Sequence, residues 1–431
     1  MTDSSPPPAP PSTRPDAPLD PAAFDPAAFN PFDPAFQQDP HPAYAALRRT
    51  APVAPTAAGM WFVTSRALVS EALGKPEVFS SRFGVPQSPA SGATLARIEE
   101  IRARGWPEVP TMLTEDPPAQ TRYRRLVSRA FTRRSVRAME PEIRRIAAGL
   151  AGDLAAAGTA DFVAGFAVPL PVRVIGRMLG VPEERLPDVK RWSDDFAATI
   201  GADAPDERRI EAAEGVLEFQ RYFAGLLEER RAEPREDLVT GLVQAHLGED
   251  ETPLTTAESL SLIQQILVAG NETTTKLLTG LAHLLATEPG LWEALRADPG
   301  RAEALAEEGL RFLTPVQGMF RLVTEPTVLG GVDLPAGAMV VLSYAAANRD
   351  EAHFEAPEEF RPGRERARDH LGFGWGVHHC LGAPLARLET VVALQELARA
   401  VTSIGPADPA GLEYEPSFLL RGLTRLPVTV S

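Results

Sequence analysis

The strongest pattern in the chain is a run whose apolar residues, Leu260, Ile263, Ile266, Leu267, Leu277, Leu278, Leu281, Leu284 and Leu285, point to nearly all sides of a helix. Thr255-Thr-Ala-Glu258 precedes the run with capping-box spacing, and Pro289 is the next break. Together they predict a helix of about 33 residues, about 50 Å long at 1.5 Å per residue. A helix that is apolar all round must be buried, and one this long crosses a whole domain. Residues 140 to about 250 read as helix after helix, broken at Pro169, Pro171, Gly180-Val-Pro182, Ala202-Asp-Ala-Pro205 and Glu233-Pro234. A short helix is expected from Pro42, and another helical piece near 95–104 inside a long loop spanning 84–110. Strand signals are few: 60–64, and Val328, Val332, Val340, Val341 and Leu342 between glycines and prolines. The expected class is mainly α with minor β sheets.

Two places depart from this pattern. In the middle of the long helix stands Ala269-Gly270-Asn271-Glu272-Thr273-Thr274-Thr275, where helix propensity would favour leucine. Glycine and threonine there weaken or divert the backbone ladder, and a local bulge or a back-bonded kink is expected. Near the other end, Leu385, Leu388, Val391, Val392, Ala393 and Leu397 predict an amphipathic helix, and just before it lies Cys380, the only cysteine of the chain. A lone cysteine is most often a small buried hydrophobe. Here Gly374, Gly376 and Gly382 bracket it and let the backbone approach something bulky. A position at a helix N-terminus also stabilises a thiolate, which is a metal ligand or a nucleophile. His378 and His379 are too close in sequence to aim easily at the same sulfur. Zinc would need further cysteines or a spaced histidine pair, whereas an axial thiolate on haem iron needs one cysteine alone.

Composition narrows the setting. With 44% hydrophobic and 23% charged residues, the 431-residue chain can bury a large core. No apolar run reaches the roughly 18 residues that a membrane span requires, and no basic and apolar leader opens the sequence. A net charge of −15 argues against general nucleic-acid binding. The expectation is a soluble, cytoplasmic monomer without a membrane or nucleic-acid partner. Residues 1–38 read as a Pro-rich disordered tail whose last part, with Phe24, Phe29, Phe32 and Phe36, packs on a single catalytic domain spanning 39–431. One basic cluster, Arg122, Arg124, Arg125, Arg129, Arg133, Arg134 and Arg137, stands out in the acidic chain.

The pattern Phe373-x-x-Gly376-x-x-x-Cys380-x-Gly382, with His378 two residues before the cysteine, resembles the haem-binding loop of the cytochrome P450 superfamily. The resemblance implies heme b (iron protoporphyrin IX), Cys380 as its axial thiolate, and Phe373, Gly374, Gly376, His378 and Gly382 around it. The 269–275 segment is similar to the family's oxygen-activation segment, which would set Ala269 and Gly270 against the haem and make Glu272 and Thr273 the proton-handling acid and alcohol. The family more often has aspartate at the acid position. Residues 115–122 resemble the entry to the C helix: Arg124 matches the propionate arginine, and Gln120 replaces a histidine with an uncharged donor. Arg321 matches the second propionate arginine. Glu308-Gly-Leu-Arg311 resembles the K-helix ion pair, with Arg364 as its third member. By register, Gln265, Val268, Ala269, Val316, Phe418, Leu419 and parts of 84–110 would line the substrate pocket, and Arg97 or Arg102 would admit an acid only by folding inward. The function implied is that of a bacterial haem-thiolate monooxygenase. It would bind dioxygen opposite Cys380, take electrons from a ferredoxin and its reductase, and hydroxylate a neutral, mostly apolar small molecule. The Glu272-Thr273 pair speaks against a peroxide-driven enzyme or a non-catalytic haem-binding recruitment protein. Arg122, Arg125 and Arg129 are expected to form part of a docking face for an acidic ferredoxin.

Overall fold

The computed structural model describes residues 24–82, 92–128, 131–200, 204–245, 252–408 and 412–431. Its principal helices are α1 (His41–Thr50), α2 (Gly92–Arg102), α3 (Ala119–Ser128), α4 (Arg133–Ala138), α5 (Glu140–Ala157), α6 (Pro169–Met178), α7 (Leu186–Ile200), α8 (Asp206–Ala232), α9 (Thr256–Thr287), α10 (Ala302–Phe312) and α11 (Ala383–Ala400). The strands are β1 (Val53–Pro55), β2 (Trp61–Val63), β3 (Phe79–Ser80), β4 (Thr159–Asp161), β5 (Gly318–Val323), β6 (Thr327–Leu329), β7 (Val332–Leu334), β8 (Met339–Ser343), β9 (Ile404–Pro406) and β10 (Pro427–Val430). They form a five-stranded sheet in the order β1-β2-β8-β5-β3, a three-stranded sheet β4-β10-β9 and the hairpin β6-β7.

The long helix α9 starts at the expected capping box: the Glu258 amide donates to Thr255 Oγ1 at 3.2 Å, and the Thr255 amide donates to Glu258 Oε2 at 2.7 Å. All nine apolar positions that defined it are buried. They serve two different cores. Leu260, Ile263, Ile266 and Leu267 join side chains from α3, α6, α7 and α8, whereas Leu277, Leu278, Leu281 and Leu285 join α5, α6, α10 and α11. The polar stretch 269–275 therefore lies where one core gives way to the other.

Of the two outcomes expected in that stretch the bulge does not open, α9 being continuous α-helix through it, and the back-bonding does occur. Thr273 Oγ1 donates back to the Ala269 carbonyl at 2.9 Å, and Thr275 Oγ1 turns outward to the Ala167 carbonyl at 3.0 Å. The hydroxyls are satisfied without diverting the ladder. Pro169 and Pro171, read as breaks, fall in the first turn of α6, where a missing N–H costs nothing.

The N-terminal segment is structured from Phe24 onward rather than disordered up to residue 38. Phe29 is buried and meets Phe36 edge-on at 4.9 Å and Phe62 of β2 at 5.2 Å. The short helix Pro34–Gln38 is capped by Asp33. Residues 1–23 lie outside the described residues.

Candidate active site

Cys380 sits on a loop folded by its own backbone. The Gly374 amide donates to the Leu371 carbonyl and the Cys380 amide to the Phe373 carbonyl, both at 2.8 Å. Two glycines make this turn possible. Gly374 and Gly376 have φ of 64° and 73°, and a Cβ on Gly376 would stand 2.9 Å from the Leu73 carbonyl oxygen. α11 follows at Ala383, so the amides of Gly382 and Ala383 point at the sulfur. Cys380 is accessible from the cleft yet surrounded by protein, and that enclosure pushes its thiol pKa up. The two amides, Arg124 and Arg387 pull the other way, toward the thiolate.

Cationic groups gather beside this loop. Burial, reinforced by the fields of Arg321 and Arg124, pushes His378 down to about 4, so its imidazole is neutral at pH 7 and pairs with Ser81 Oγ at 3.0 Å. Arg321 is buried and, among the described residues, bonds to the Phe320 carbonyl and the Tyr344 hydroxyl. Arg124 has no side-chain hydrogen bond or ion pair among the described residues, although it is half-buried and burial lowers its pKa. Two half-compensated guanidiniums next to an accessible cysteine suit a flat, dianionic group with a thiolate-binding centre, and haem with its two propionates is such a group. Gln120 is fully buried, and its Nε2 donates to the Val377 carbonyl at 2.8 Å. It braces the cysteine loop through that bond.

On α9, Ala269 is exposed in the middle of an otherwise buried helix, with Gln265, Val268, Gly270 and Thr273 partly exposed beside it. Val268 and Leu381, neighbours of Ala269 and Cys380, border the same core. Gly270 packs against Ile175 of α6, where an added Cβ would come within 3.1 Å of Cδ1. Glu272 faces elsewhere. Its carboxylate meets Lys276 Nζ at 3.1 Å and Lys190 of α7 at 3.7 Å. Burial alone would raise its pKa, but the two ammonium groups outweigh it and hold the carboxyl below its ordinary value. The sequence reading missed Lys276, although the i, i+4 spacing from Glu272 was a usable signal.

Glu308, Arg311 and Arg364 come together in a buried cluster: Arg311 Nη2 and Arg364 Nε donate to Glu308 Oε1 at 2.8 and 2.9 Å. A second cluster was not foreseen. Glu307 accepts from Arg387 at 2.6 Å and from His370 at 3.2 Å, and Arg387 lies 4.6 Å over the Phe373 ring. It buttresses the cysteine loop from the side of α10. Of the pocket candidates, Val316 bridges to Leu420 and the Gln317 amide donates to the Leu419 carbonyl at 2.7 Å. Phe418 turns toward Phe320 and Phe32, with ring centroids at 5.7 and 4.8 Å. Arg97 is taken up by Glu100 and Glu214, and Arg102 also has a partner. Residues 84–91 lie outside the described residues.

The basic cluster divides. Arg122 is not available for docking as expected, because it pairs with Glu258 at 3.0 Å and donates to the Thr252 carbonyl. Arg125 has a partner of its own, and Arg129 lies outside the described residues. Arg133, Arg134 and Arg137 are exposed on α4, which packs against α11.

Comparison with known proteins agrees with this geometry. The family model for cytochrome P450 matches residues 204–400. The chain is 38% identical to a vitamin D(3) 25-hydroxylase of Pseudonocardia autotrophica, over 93% of this chain and 96% of that protein. It is 35% identical to the 6-deoxyerythronolide B hydroxylase of Saccharopolyspora erythraea, over 91% and 96%. A solved cytochrome P450 of Chondromyces apiculatus superposes with a TM-score of 0.83 at 34% identity, covering 94% of this chain and 99% of its own. The chain belongs to the cytochrome P450 family and is a haem-thiolate monooxygenase of mainly α fold, with heme b as its cofactor. No helix among the described residues is long and apolar enough to cross a membrane.

Proposed function

We propose that the chain hydroxylates a neutral, mostly apolar small molecule, with electrons from a ferredoxin and its reductase and with Cys380 as the axial ligand. The observation that carries the substrate reading is the open midpoint of α9, where two apolar residues stand uncovered, Ala269 exposed and Val268 partly exposed. Two relatives are named as hydroxylases of vitamin D(3) and of 6-deoxyerythronolide B. When bound, haem supplies dioxygen activation. The chain supplies the rest. Arg124 and Arg321 would hold the propionates, the apolar lining would exclude water, Thr273 would present a hydroxyl beside Ala269, and the ionised Glu272, one residue before it, would accept a proton and then pass it on. Gln265 Oε1 is buried without a partner among the described residues, so a substrate hydroxyl or N–H would meet an unsatisfied acceptor there. Spectral titration of the haem-loaded protein should give water-displacing shifts with neutral ligands and none with matched carboxylates. Tight binding by the acids alone would overturn the pocket reading.

The ferredoxin reading is supported by the exposed Arg133, Arg134 and Arg137 beside the helix that leaves the cysteine loop. A cationic face there steers an acidic partner. Reduction by an acidic ferredoxin should slow about tenfold from low to high salt, since screening removes steering. The variant Arg134→Glu should slow it at low salt. A salt-independent rate would remove the electrostatic docking reading. A cysteine needed as a thiolate favours a reducing compartment, which supports the cytoplasm as location. The contacts of Phe29 with Phe62 and of Gln38 with Tyr414 support reading 24–38 as strapped onto a catalytic domain spanning 39–431.

A further inference from the structure

Lysine is scarce in this chain: only Lys75, Lys190 and Lys276 occur among 43 basic residues, and two of the three converge on Glu272. Lys276 is the more deeply placed. Its side chain is 2% exposed, and Nζ lies 3.1 Å from Glu272 Oε2 and 2.8 Å from Glu415 Oε2. Room for its stem depends on Gly422, where a Cβ would come within 2.3 Å of Lys276 Cγ. Glu415 belongs to the C-terminal turn that also carries Leu419, and that turn is itself fastened. Gln38 of the N-terminal segment donates to the Tyr414 carbonyl at 3.0 Å and accepts from the Tyr414 amide at 3.1 Å, while Arg421 donates to the Gln37 and Gln38 carbonyls.

We propose that Lys276 is the positioning residue for Glu272, fixing where the carboxylate points and keeping it ionised, with Glu415 anchoring the ammonium to the C-terminal turn. The proposal rests on the reading of Glu272 as the proton-handling acid. A lysine suits this place better than the arginine used almost everywhere else in the chain. Its ammonium is a compact charge that meets two carboxylates without the fixed fork of a guanidinium. The groups facing Glu272 are Lys276 from its own helix and Lys190 from α7; Lys190 is itself bonded to Asp194, and Glu415 stands behind Lys276. α6, packed on the same stretch, presents Ile175 to Gly270. Burial raises the pKa of Glu272 and the ammoniums lower it, so removing Lys276 must move its titration upward.

The test is infrared difference spectroscopy of the substrate-free, haem-loaded protein across pH, together with the fraction of reducing equivalents lost as peroxide during turnover. In Lys276→Met the band of a neutral buried carboxylic acid should appear with a midpoint raised by roughly one to three pH units, the size of one lost opposite charge. The band should vanish when Glu272→Gln is added, and peroxide release should rise in Lys276→Met. If Lys276→Met fails to fold, Lys276→Gln keeps a hydrogen-bond donor for both carboxylates and carries the same test. An unchanged midpoint and unchanged coupling in a Lys276 variant, with Glu272→Gln impaired, would overturn this proposal and leave the role of Glu272 intact. Full coupling in Glu272→Gln would sink both.

Discussion

Glu308→Ala is expected to give little or no folded, haem-loaded protein under conditions that yield the parent chain. Glu308 and Arg311 have no solvent-exposed side-chain surface, and Arg364 is 6% exposed. One carboxylate accepts from Arg311 Nε and Nη2, from Arg364 Nε at 2.9 Å and from the Arg361 amide at 2.8 Å. Removing it strands two buried guanidiniums, and breaking a buried pair from one side costs about 3–5 kcal/mol. That is a large part of the roughly 5–15 kcal/mol by which a domain is stable. The damage also travels. Arg311 holds the carbonyls of Asn348, Pro357 and Glu359, and Asn348 Oδ1 accepts from the Leu371 amide at the entrance to the cysteine loop. Thermal melting and the yield of haem-loaded protein check this; a parent-like melting curve would show that the cluster is dispensable.

Cys380→His is expected to leave the fold in place and remove substrate hydroxylation. The side chain opens to the cleft and belongs to no hydrophobic core, so its replacement leaves no core cavity. The chemistry loses more. A thiolate donates electron density that favours O–O cleavage, whereas an imidazole gives the ligation of oxygen carriers and peroxidases. Product formation per haem should fall on the order of 10²- to 10³-fold, comparable with losing one preorganised electrostatic contribution. Turnover near that of the parent would remove Cys380 from the chemistry.

The long helix was legible because its evidence is local and redundant: nine apolar side chains, a capping box and a proline stop all agree. The cysteine loop was legible for another reason, since a backbone with φ near 70° at two places writes glycine into the sequence. What escaped was pairwise and distant. Nothing around Arg122 announces Glu258, which lies 136 residues away, and nothing near Lys276 announces Glu415. The continuity of α9 through 269–275 was also hidden, because it depends on where the hydroxyls of Thr273 and Thr275 find acceptors. The N-terminal aromatics were visible as a repeat, but their docking against Phe62 and Phe418 required the sheet and the C-terminal turn to exist first.

The central claim is that Cys380 is the axial ligand of a bound haem, and carbon monoxide binding to the reduced protein tests it most directly. The parent chain should show its Soret band at the red-shifted position typical of thiolate ligation, and Cys380→His should show the band at the shorter wavelength of an imidazole complex. The same red-shifted band in both proteins would contradict the account.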